Sequence, residues 1–122
     1  MKEVRSGAVA VIDDDADVRE VLEAYLTIAG YTVHTYESGR KFLETAALDQ
    51  FDCLLVDQRM PDMTGLEMVE ELDSRGIRIP ALLITGECDE TLTQAIECSG
   101  MAGILQKPMS PRELLTFLEG AR

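Results

Sequence analysis

Residues 50–65 read QFDCLLVDQRMPDMTG, and this stretch decides the fold. The apolar run from Cys53 to Val56 predicts a buried strand that ends on the carboxylate of Asp57. The residues MPDMTG that follow are typical of a turn that leads into a helix. Asp57 is therefore predicted at the carboxyl end of a central strand, where open parallel α/β sheets bind ligands.

Four further strands are predicted on the two sides of this one in the sequence, over residues 8–12, 32–36, 80–84 and 102–106. A helical pattern follows each strand, and four of the helix starts carry a capping residue: Asp15, Ser38, Thr64 and Ser110. Regular alternation of strands and helices predicts a parallel sheet with helices on both faces, because right-handed crossovers are nearly obligatory.

The apolarity of the strands also predicts their order. The runs that end at Ile12, Val56 and Ile84 are apolar throughout, as strands covered on both faces are. The second strand is half polar and the fifth is short and mixed, so both are placed at the edges. The predicted fold class is α/β, a flavodoxin-like three-layer (βα)5 sandwich whose five-stranded parallel sheet has the order 2-1-3-4-5.

The fourth helix has the weakest apolar stripe. Residues 88–99 place only Leu92, Ala95 and Ile96 on one face. We therefore expect this helix to be the most mobile of the five.

Length and composition predict one globular domain over residues 1–122, with 46% apolar residues to form its core. The net charge of −12 argues against a direct nucleic-acid contact or an anionic membrane surface, because phosphates are held by Lys and Arg. No apolar stretch reaches the ~20 residues of a membrane span, and the amino terminus lacks the apolar core of a signal peptide. Cys53, Cys88 and Cys98 lack metal-type spacing and are interpreted as small hydrophobes in a reducing cytosol, so a cytoplasmic location is predicted.

The predicted strand ends bring polar residues from four strands to one rim: Asp13 and Asp14, Asp57, Thr85 and Lys107. Three adjacent carboxylates repel one another, so the cluster favours a bound cation. Hard oxygen ligands select Mg²⁺ or Mn²⁺. A hydroxyl and an ammonium opposite the metal suit a phosphoryl group in transfer, with one carboxylate as the nucleophile.

On these residues the chain resembles a response-regulator receiver domain of two-component signalling. The matching features are the acidic pair after strand one, the strand-three Asp followed by Met-Pro-x-Met-x-Gly, the strand-four Thr followed by a small residue, and the Lys-Pro after strand five. They extend over residues 8–120, nearly the whole chain, and are jointly specific.

The resemblance implies a role for each matching residue. Asp57 matches the phosphoacceptor and would also be a metal ligand. Asp14 matches the direct metal ligand, Asp13 the carboxylate that holds a metal-bound water, and Arg59 the residue whose backbone carbonyl binds the metal, which would be Mg²⁺ or Mn²⁺.

Three other positions match the phosphoryl-binding part of the family site. Thr85 and Lys107 match the hydroxyl and the ammonium that bind the phosphoryl group, and Gly86 matches the small residue that leaves room for it. The bond between Lys107 and Pro108 is implied to be cis, a form that only X-Pro bonds adopt at low cost.

The implied function is a phosphorylation-controlled switch and not an enzyme acting on other substrates. Asp57 would take a phosphoryl group from a sensor histidine kinase in a magnesium-dependent reaction. The domain would catalyse only its own phosphoryl transfer and dephosphorylation. It would signal through the face formed by helix four, strand five and helix five, with phosphorylation promoting a homodimer.

The segments MPDMTGLE and TGE most resemble regulators that carry a C-terminal helix-turn-helix DNA-binding domain and regulate transcription. Residues 1–122 are therefore expected to be an isolated receiver or the N-terminal part of a longer regulator. Two positions depart from the family pattern: Ile104 stands where an aromatic residue usually changes rotamer on activation, and Met109 stands where Phe often follows Lys-Pro. These departures concern the output and not the acceptor site.

Three other functions fit the sequence less well. A receiver-fold interaction module that is not phosphorylated would have no reason to retain all five rim residues. A haloacid-dehalogenase-type phosphatase would use the D-x-D at residues 13–15, but Asp17 replaces the expected Thr or Val and the chain leaves no room for a cap domain. A flavodoxin needs a hydroxyl-rich phosphate loop where this chain has three aspartates, which would repel phosphate.

Overall fold

The structure, a computed structural model, describes residues 7–45, 48–86, 90–99, 101, 103–107 and 110–121. Its five strands are β1 (Ala8–Ile12), β2 (Thr32–Tyr36), β3 (Cys53–Asp57), β4 (Ala81–Thr85) and β5 (Gly103–Gln106). They form one parallel sheet in the order β2-β1-β3-β4-β5. The predicted fold class and strand order are confirmed.

The helices alternate with the strands as predicted. They are α1 (Ala16–Ile28), α2 (Gly39–Thr45), α3 (Gly65–Ser74), α4 (Glu90–Ser99) and α5 (Pro111–Ala121), with a short 3-10 helix at Leu48–Gln50 that the sequence patterns did not predict. The four predicted caps are confirmed, because each side-chain oxygen accepts a hydrogen bond from a backbone N–H of its helix: Asp15, Ser38, Thr64 and Ser110. The caps fix where α1, α2, α3 and α5 begin, close to the carboxyl edge of the sheet.

The central strands are buried on both faces, and their side chains alternate between two cores. In β3, Cys53 and Leu55 pack with the inner sides of α1 and α5, whereas Leu54 and Val56 pack with α2 and α3. The β2 strand is exposed or half-buried throughout, as expected for an edge. The fully buried run through Asp57 in β3 confirms that this strand is central.

The buried face of α1 is narrow, although the helix carries apolar residues at helical spacing from Val18 to Leu26. Only Leu22 and Leu26 are buried in this helix, whereas Val21 and Tyr25 are 48% and 39% exposed. The two exposed side chains line a groove of about 380 Å³ between α1 and the start of α5. The helix therefore contacts the sheet along a narrow line of residues, and Val21 and Tyr25 face the groove.

Two other predictions concern side chains away from the sheet ends. Cys53 is buried, as predicted, while Cys88 and the Cys98 side chain lie outside the described residues. Among the residues that the structure describes, no helix has both the length and the apolarity needed to cross a bilayer.

Candidate functional site

The candidate site lies at the carboxyl edge of the sheet, where β1, β3, β4 and β5 end. Asp57 is the last residue of β3 and is 7% exposed, and Asp13 directly follows β1 and is 1% exposed. The loop that carries Asp13 is held to the edge of the sheet, because its N–H donates to the carbonyl of Tyr36 at 3.1 Å. Strand geometry therefore delivers two buried carboxylates to one place.

The predicted acidic cluster is present. One carboxylate oxygen from each of Asp13, Asp14 and Asp57 lies within 4.8 Å of the others. Asp13 and Asp57 are buried, whereas Asp14 is exposed. The N–H of Asp15 donates to Asp13 Oδ1 at 2.9 Å, which turns the Asp13 side chain into the loop and leaves the next carboxylate facing solvent.

Lys107 supplies the positive charge of the site. Its Nζ lies 3.5 Å from Asp57 Oδ1 and 3.6 Å from Asp13 Oδ2, and its side chain is 31% exposed. Its backbone N–H donates to the carbonyl of Thr85 at 2.8 Å, so β4 positions the start of the segment that follows β5. At these distances the contacts are ion pairs more than well-formed hydrogen bonds. The peptide bond to Pro108 lies outside the described residues.

A cleft of about 720 Å³ opens beside the carboxylates. Thr85, Asp14 and Arg59 line it, together with residues of α4 such as Leu92. Thr85 is 1% exposed overall and ends β4 one residue beyond Ile84, the partner of Asp57 in the sheet. The structure thus places Thr85 and Arg59 at the same rim as the acidic cluster.

Burial controls the protonation of the two inner carboxylates. It raises the pKa of Asp57 above its ordinary value of 3.8, although Lys107 and the backbone N–H of Arg59 oppose the shift. Burial likewise raises the pKa of Asp13, with Asp57 adding to the shift, and the N–H of Asp15 and the ammonium of Lys107 opposing it. One lysine does not fully compensate the cluster.

The donor set fits a divalent cation. Asp13 Oδ2 is buried and has no hydrogen-bond partner among the described residues, and its nearest cation is Lys107 at 3.6 Å. Buried carboxylate oxygens of this kind are normally paired or bound to a metal. Three carboxylates whose oxygens lie within 4.8 Å of one another suit Mg²⁺ or Mn²⁺, bound directly or through a water.

The sequence patterns missed one contact of the site. Arg19, on the first turn of α1, donates from Nη1 to the backbone carbonyl of Asp13 at 2.6 Å. This bond ties the acidic loop to the helix that follows it. The sequence shows this contact only as an arginine six residues after the first aspartate. An arginine on the exposed face of an amphipathic helix would give the same pattern, so the contact could not be predicted.

Gly65 allows α3 to pack against the acceptor strand. A Cβ at this position would lie 2.8 Å from the carbonyl oxygen of Asp57 and 2.7 Å from Leu83 Cδ1. We expect Gly65→Ala to lower the free energy of unfolding by about 2 kcal/mol, the usual cost of overpacking against a rigid core. Urea denaturation of both proteins measures this difference.

Gly86→Ala is the matched control for that substitution. No described atom lies within 4 Å of the position of a Gly86 Cβ, so we expect its stability to change by less than about 0.5 kcal/mol. Equal losses in the two variants would contradict the close packing of α3 on Asp57.

The comparisons with known proteins agree with this geometry. The family described as the response regulator receiver domain matches residues 9–119. The chain therefore belongs to the response regulator receiver domain family, and the resemblance is confirmed. The individual roles of the rim residues remain predictions.

Its relatives include transcriptional regulators. The chain is 35% identical to the DNA-binding transcriptional regulator NtrC of Escherichia coli K12, over 97% of its own length and 25% of that protein. It is 32% identical to the transcriptional regulatory protein FixJ of Rhizobium meliloti, over 93% of its length and 55% of that protein. The chain thus spans about a quarter and about half of these two relatives.

Solved structures show the same fold. The chemotaxis protein CheY4 of Vibrio cholerae superposes with a TM-score of 0.89 at 32% identity, covering 97% of this chain and 100% of that one.

Proposed function

We propose that this chain is a phosphoacceptor receiver domain that takes a phosphoryl group from a sensor histidine kinase onto Asp57. One observation carries the proposal: the Asp57 carboxylate ends a buried central strand with two other carboxylates within 4.8 Å and an ammonium at 3.5 Å. An anionic nucleophile between a potential cation site and a lysine suits an incoming phosphoryl group, whose charge must be neutralised from several sides. Membership of the receiver family supports the proposal.

In the transfer, an Asp57 carboxylate oxygen forms a bond to phosphorus. The bond from phosphorus to the imidazole nitrogen of the donor breaks, and that nitrogen keeps the electron pair. With its other ring nitrogen protonated, the imidazole leaves neutral and Asp57 becomes an acyl phosphate. Lys107 would balance the charge of the phosphoryl oxygens, and the hydroxyl of Thr85 would donate a hydrogen bond to one of them.

Asp13, Asp14, Asp57 and the backbone carbonyl of Arg59 are the groups that would hold Mg²⁺ or Mn²⁺. When bound, the cation supplies charge neutralisation for the phosphoryl oxygens and for the carboxylates. The exposed Asp14 is open to direct coordination, whereas Asp13 is buried and its Oδ1 already accepts the N–H of Asp15, so that Oδ2 would be left to hold a metal-bound water. This difference supports the assignment of Asp14 as the direct ligand.

The proposal is tested by treating the protein with acetyl phosphate and Mg²⁺ and recording the intact mass. We expect one phosphoryl group to be incorporated per chain. Incorporation should be absent when excess chelator is present from the start, and strongly reduced in Asp14→Ala, which lacks the direct metal ligand. An unmodified protein in the presence of Mg²⁺ would support the alternative, a receiver-fold module that is not phosphorylated. Incorporation that is unchanged in chelator would contradict the metal requirement.

The wider setting follows from the same proposal. Residues 1–122 would form one receiver domain in a cytoplasmic regulator, active only on its own phosphoryl group. NtrC is named as DNA-binding, but the chain spans only a quarter of it. Because the chain has a net charge of −12, it would repel the phosphates of DNA, and we assign any DNA contact to another part of such a regulator.

The output surface is proposed to be the face formed by α4, β5 and α5. The buried Thr85 ends the strand that leads towards α4, and Ile104 pairs with Leu83 in the adjacent strand. When Thr85 turns to bind a phosphoryl group on Asp57, it would leave a space behind β4. Ile104 is half-buried and stiff at its first torsion, so it would fill this space less completely than an aromatic ring. Movement of α4 must then carry more of the signal.

We expect phosphorylation to promote self-association through this face. Ile104→Ala should leave phosphorylation intact and alter association only modestly, because α4 carries most of the change. Sedimentation and hydrogen exchange over residues 85–110, with and without phosphorylation, measure the effect. Identical association and protection in the two states would rule this output surface out.

A further inference from the structure

Gln58, the residue after the acceptor aspartate, binds the start of α3. The first N–H groups of a helix have no partner within the helix. The N–H of Gly65 donates to the backbone carbonyl of Gln58 at 3.2 Å, and the N–H of Leu66 donates to Gln58 Oε1 at 3.0 Å. One residue, seven and eight positions upstream, thus accepts the first two of these N–H groups.

The same residue is also fixed to the sheet. The N–H of Gln58 donates to the carbonyl of Ile84 at 2.9 Å, which continues the pairing of β3 with β4 beyond Asp57. Its backbone is therefore held by β4 on one side and by α3 on the other. Gly65 permits this approach, because any Cβ there would meet the Asp57 carbonyl.

The next peptide group is the one that serves the site. Arg59 follows Gln58 and lines the cleft beside Asp14, and its backbone N–H helps to lower the pKa of the Asp57 carboxyl group. Rotation of the Gln58 backbone would turn this N–H away from the carboxylate and would move the Arg59 carbonyl with it. The backbone bonds of Gln58 oppose that rotation, and the bond from the Leu66 N–H to Gln58 Oε1 adds the side chain to the same restraint.

We propose that Gln58 is a positioning residue, which uses its side-chain bond to α3 to hold the Arg59 peptide against the Asp57 carboxylate in the geometry that a divalent cation requires. This inference rests on the proposed function, since it assumes that the Arg59 carbonyl faces the metal.

The cap of α3 provides a matched comparison. Thr64 Oγ1 accepts the N–H of Glu67 at 3.1 Å, and Glu67 Oε1 accepts the N–H of Thr64 at 2.8 Å, independently of Gln58. Thr64→Ala therefore weakens the start of the same helix while it leaves both Gln58 bonds in place. A purely structural role for Gln58 would make the two variants behave alike.

The test compares wild type, Gln58→Leu, Gln58→Glu and Thr64→Ala by calorimetric titration with Mg²⁺ and by amide hydrogen exchange at Leu66. Leucine has a similar volume but no acceptor, whereas glutamate keeps the acceptor at the same reach. We expect Gln58→Leu to bind Mg²⁺ about tenfold more weakly, the usual effect of mutating a residue that orients a metal ligand. The same variant should lose hydrogen-exchange protection at the Leu66 amide. Gln58→Glu should recover the protection and bind Mg²⁺ at least as tightly as wild type, and Thr64→Ala should bind it within twofold of wild type.

An unchanged Mg²⁺ affinity in Gln58→Leu with protection lost at Leu66 would overturn the inference, because Gln58 would then be a helix cap alone. Equal weakening in Thr64→Ala would overturn it as well. If Gln58→Leu does not fold, Gln58→Asn decides by the same measurements, since its amide is one methylene too short to reach Leu66. A wild-type protein that binds no Mg²⁺ and accepts no phosphoryl group would overturn the proposed function and this inference together. If the wild type is phosphorylated and Gln58→Leu binds Mg²⁺ with unchanged affinity, the inference alone is overturned.

Discussion

Asp57→Asn is expected to lose all phosphoryl incorporation and yet to resist unfolding better than wild type at neutral pH without metal. The amide cannot form an acyl phosphate. The substitution also removes a buried negative charge. The raised pKa of Asp57 indicates that burial destabilises this charge more than the ion pair with Lys107 stabilises it. We expect a gain of about 1 kcal/mol in the free energy of unfolding, the usual scale of a single substitution.

The gain should depend on pH with a definite sign. Because the pKa of Asp57 is higher in the folded protein than its ordinary value of 3.8, the folded state holds the proton more tightly than the unfolded state. The charge therefore costs stability above the folded pKa, and this cost disappears as the pH falls towards 3.8. The advantage of Asp57→Asn should be full at pH 7 and absent near pH 3.

Asp62→Asn is the control for overall charge. It changes the net charge equally, but Asp62 is exposed and only caps the N–H of Arg40, which asparagine can also do. Urea denaturation in chelator at several pH values, with intact-mass spectra after donor treatment, measures both effects. An unchanged adduct in Asp57→Asn would place the acceptor elsewhere, and an equal stability gain in Asp62→Asn would trace the effect to net charge.

Lys107→Ala is expected to slow phosphoryl transfer about a hundredfold, the usual cost of removing one charged donor from a transition state. It should also destabilise the protein, because Lys107 lowers the pKa of both Asp13 and Asp57. Loss of one partner of a buried ion pair costs about 3–5 kcal/mol. Since the Lys107 side chain is 31% exposed and its contacts are long, we expect about 2 kcal/mol.

The stability loss in Lys107→Ala should shrink in acid, because protonated carboxylates no longer need the lysine. Lys41→Ala is the comparison: Lys41 pairs with Glu37 at 2.7 Å, a shorter distance, but both side chains are more than half exposed. We expect no measurable loss there, because water screens the pair. Equal losses at pH 7 in the two variants, or a loss in Lys107→Ala that does not depend on pH, would contradict the compensation of the buried carboxylates.

The strand order could be predicted because it depends on local composition. β3 lies between β1 and β4 and is buried throughout, and its apolar run is visible in the sequence. The rim followed from the same fact, since parallel strands end at one edge and Asp13, Asp57 and Lys107 lie at or just after three strand ends. No contact between distant residues had to be known in advance.

The contacts that cross between elements could not be predicted in this way. Asp13 and Asp14 are identical neighbours in the sequence, yet Asp13 is buried and accepts the N–H of Asp15, whereas Asp14 is exposed. Gln58 has no periodic signal, because its bonds go to a strand and a helix that are separate in sequence. The spacing of apolar residues predicts which side of a helix is buried, but it does not predict how many of those residues are buried. In α1, Leu22 is buried and Val21 is exposed.

The division of the apolar residues into two cores has an evolutionary consequence. Leu55 and Leu114 belong to the core on the α1 and α5 side, whereas Val56 and Met68 belong to the core on the α2 and α3 side. A fully buried layer of strand backbone separates the two sets. Volume lost in one core has to be recovered within that core, so substitutions on one side of the sheet can be compensated there while the strand that presents Asp57 keeps its position.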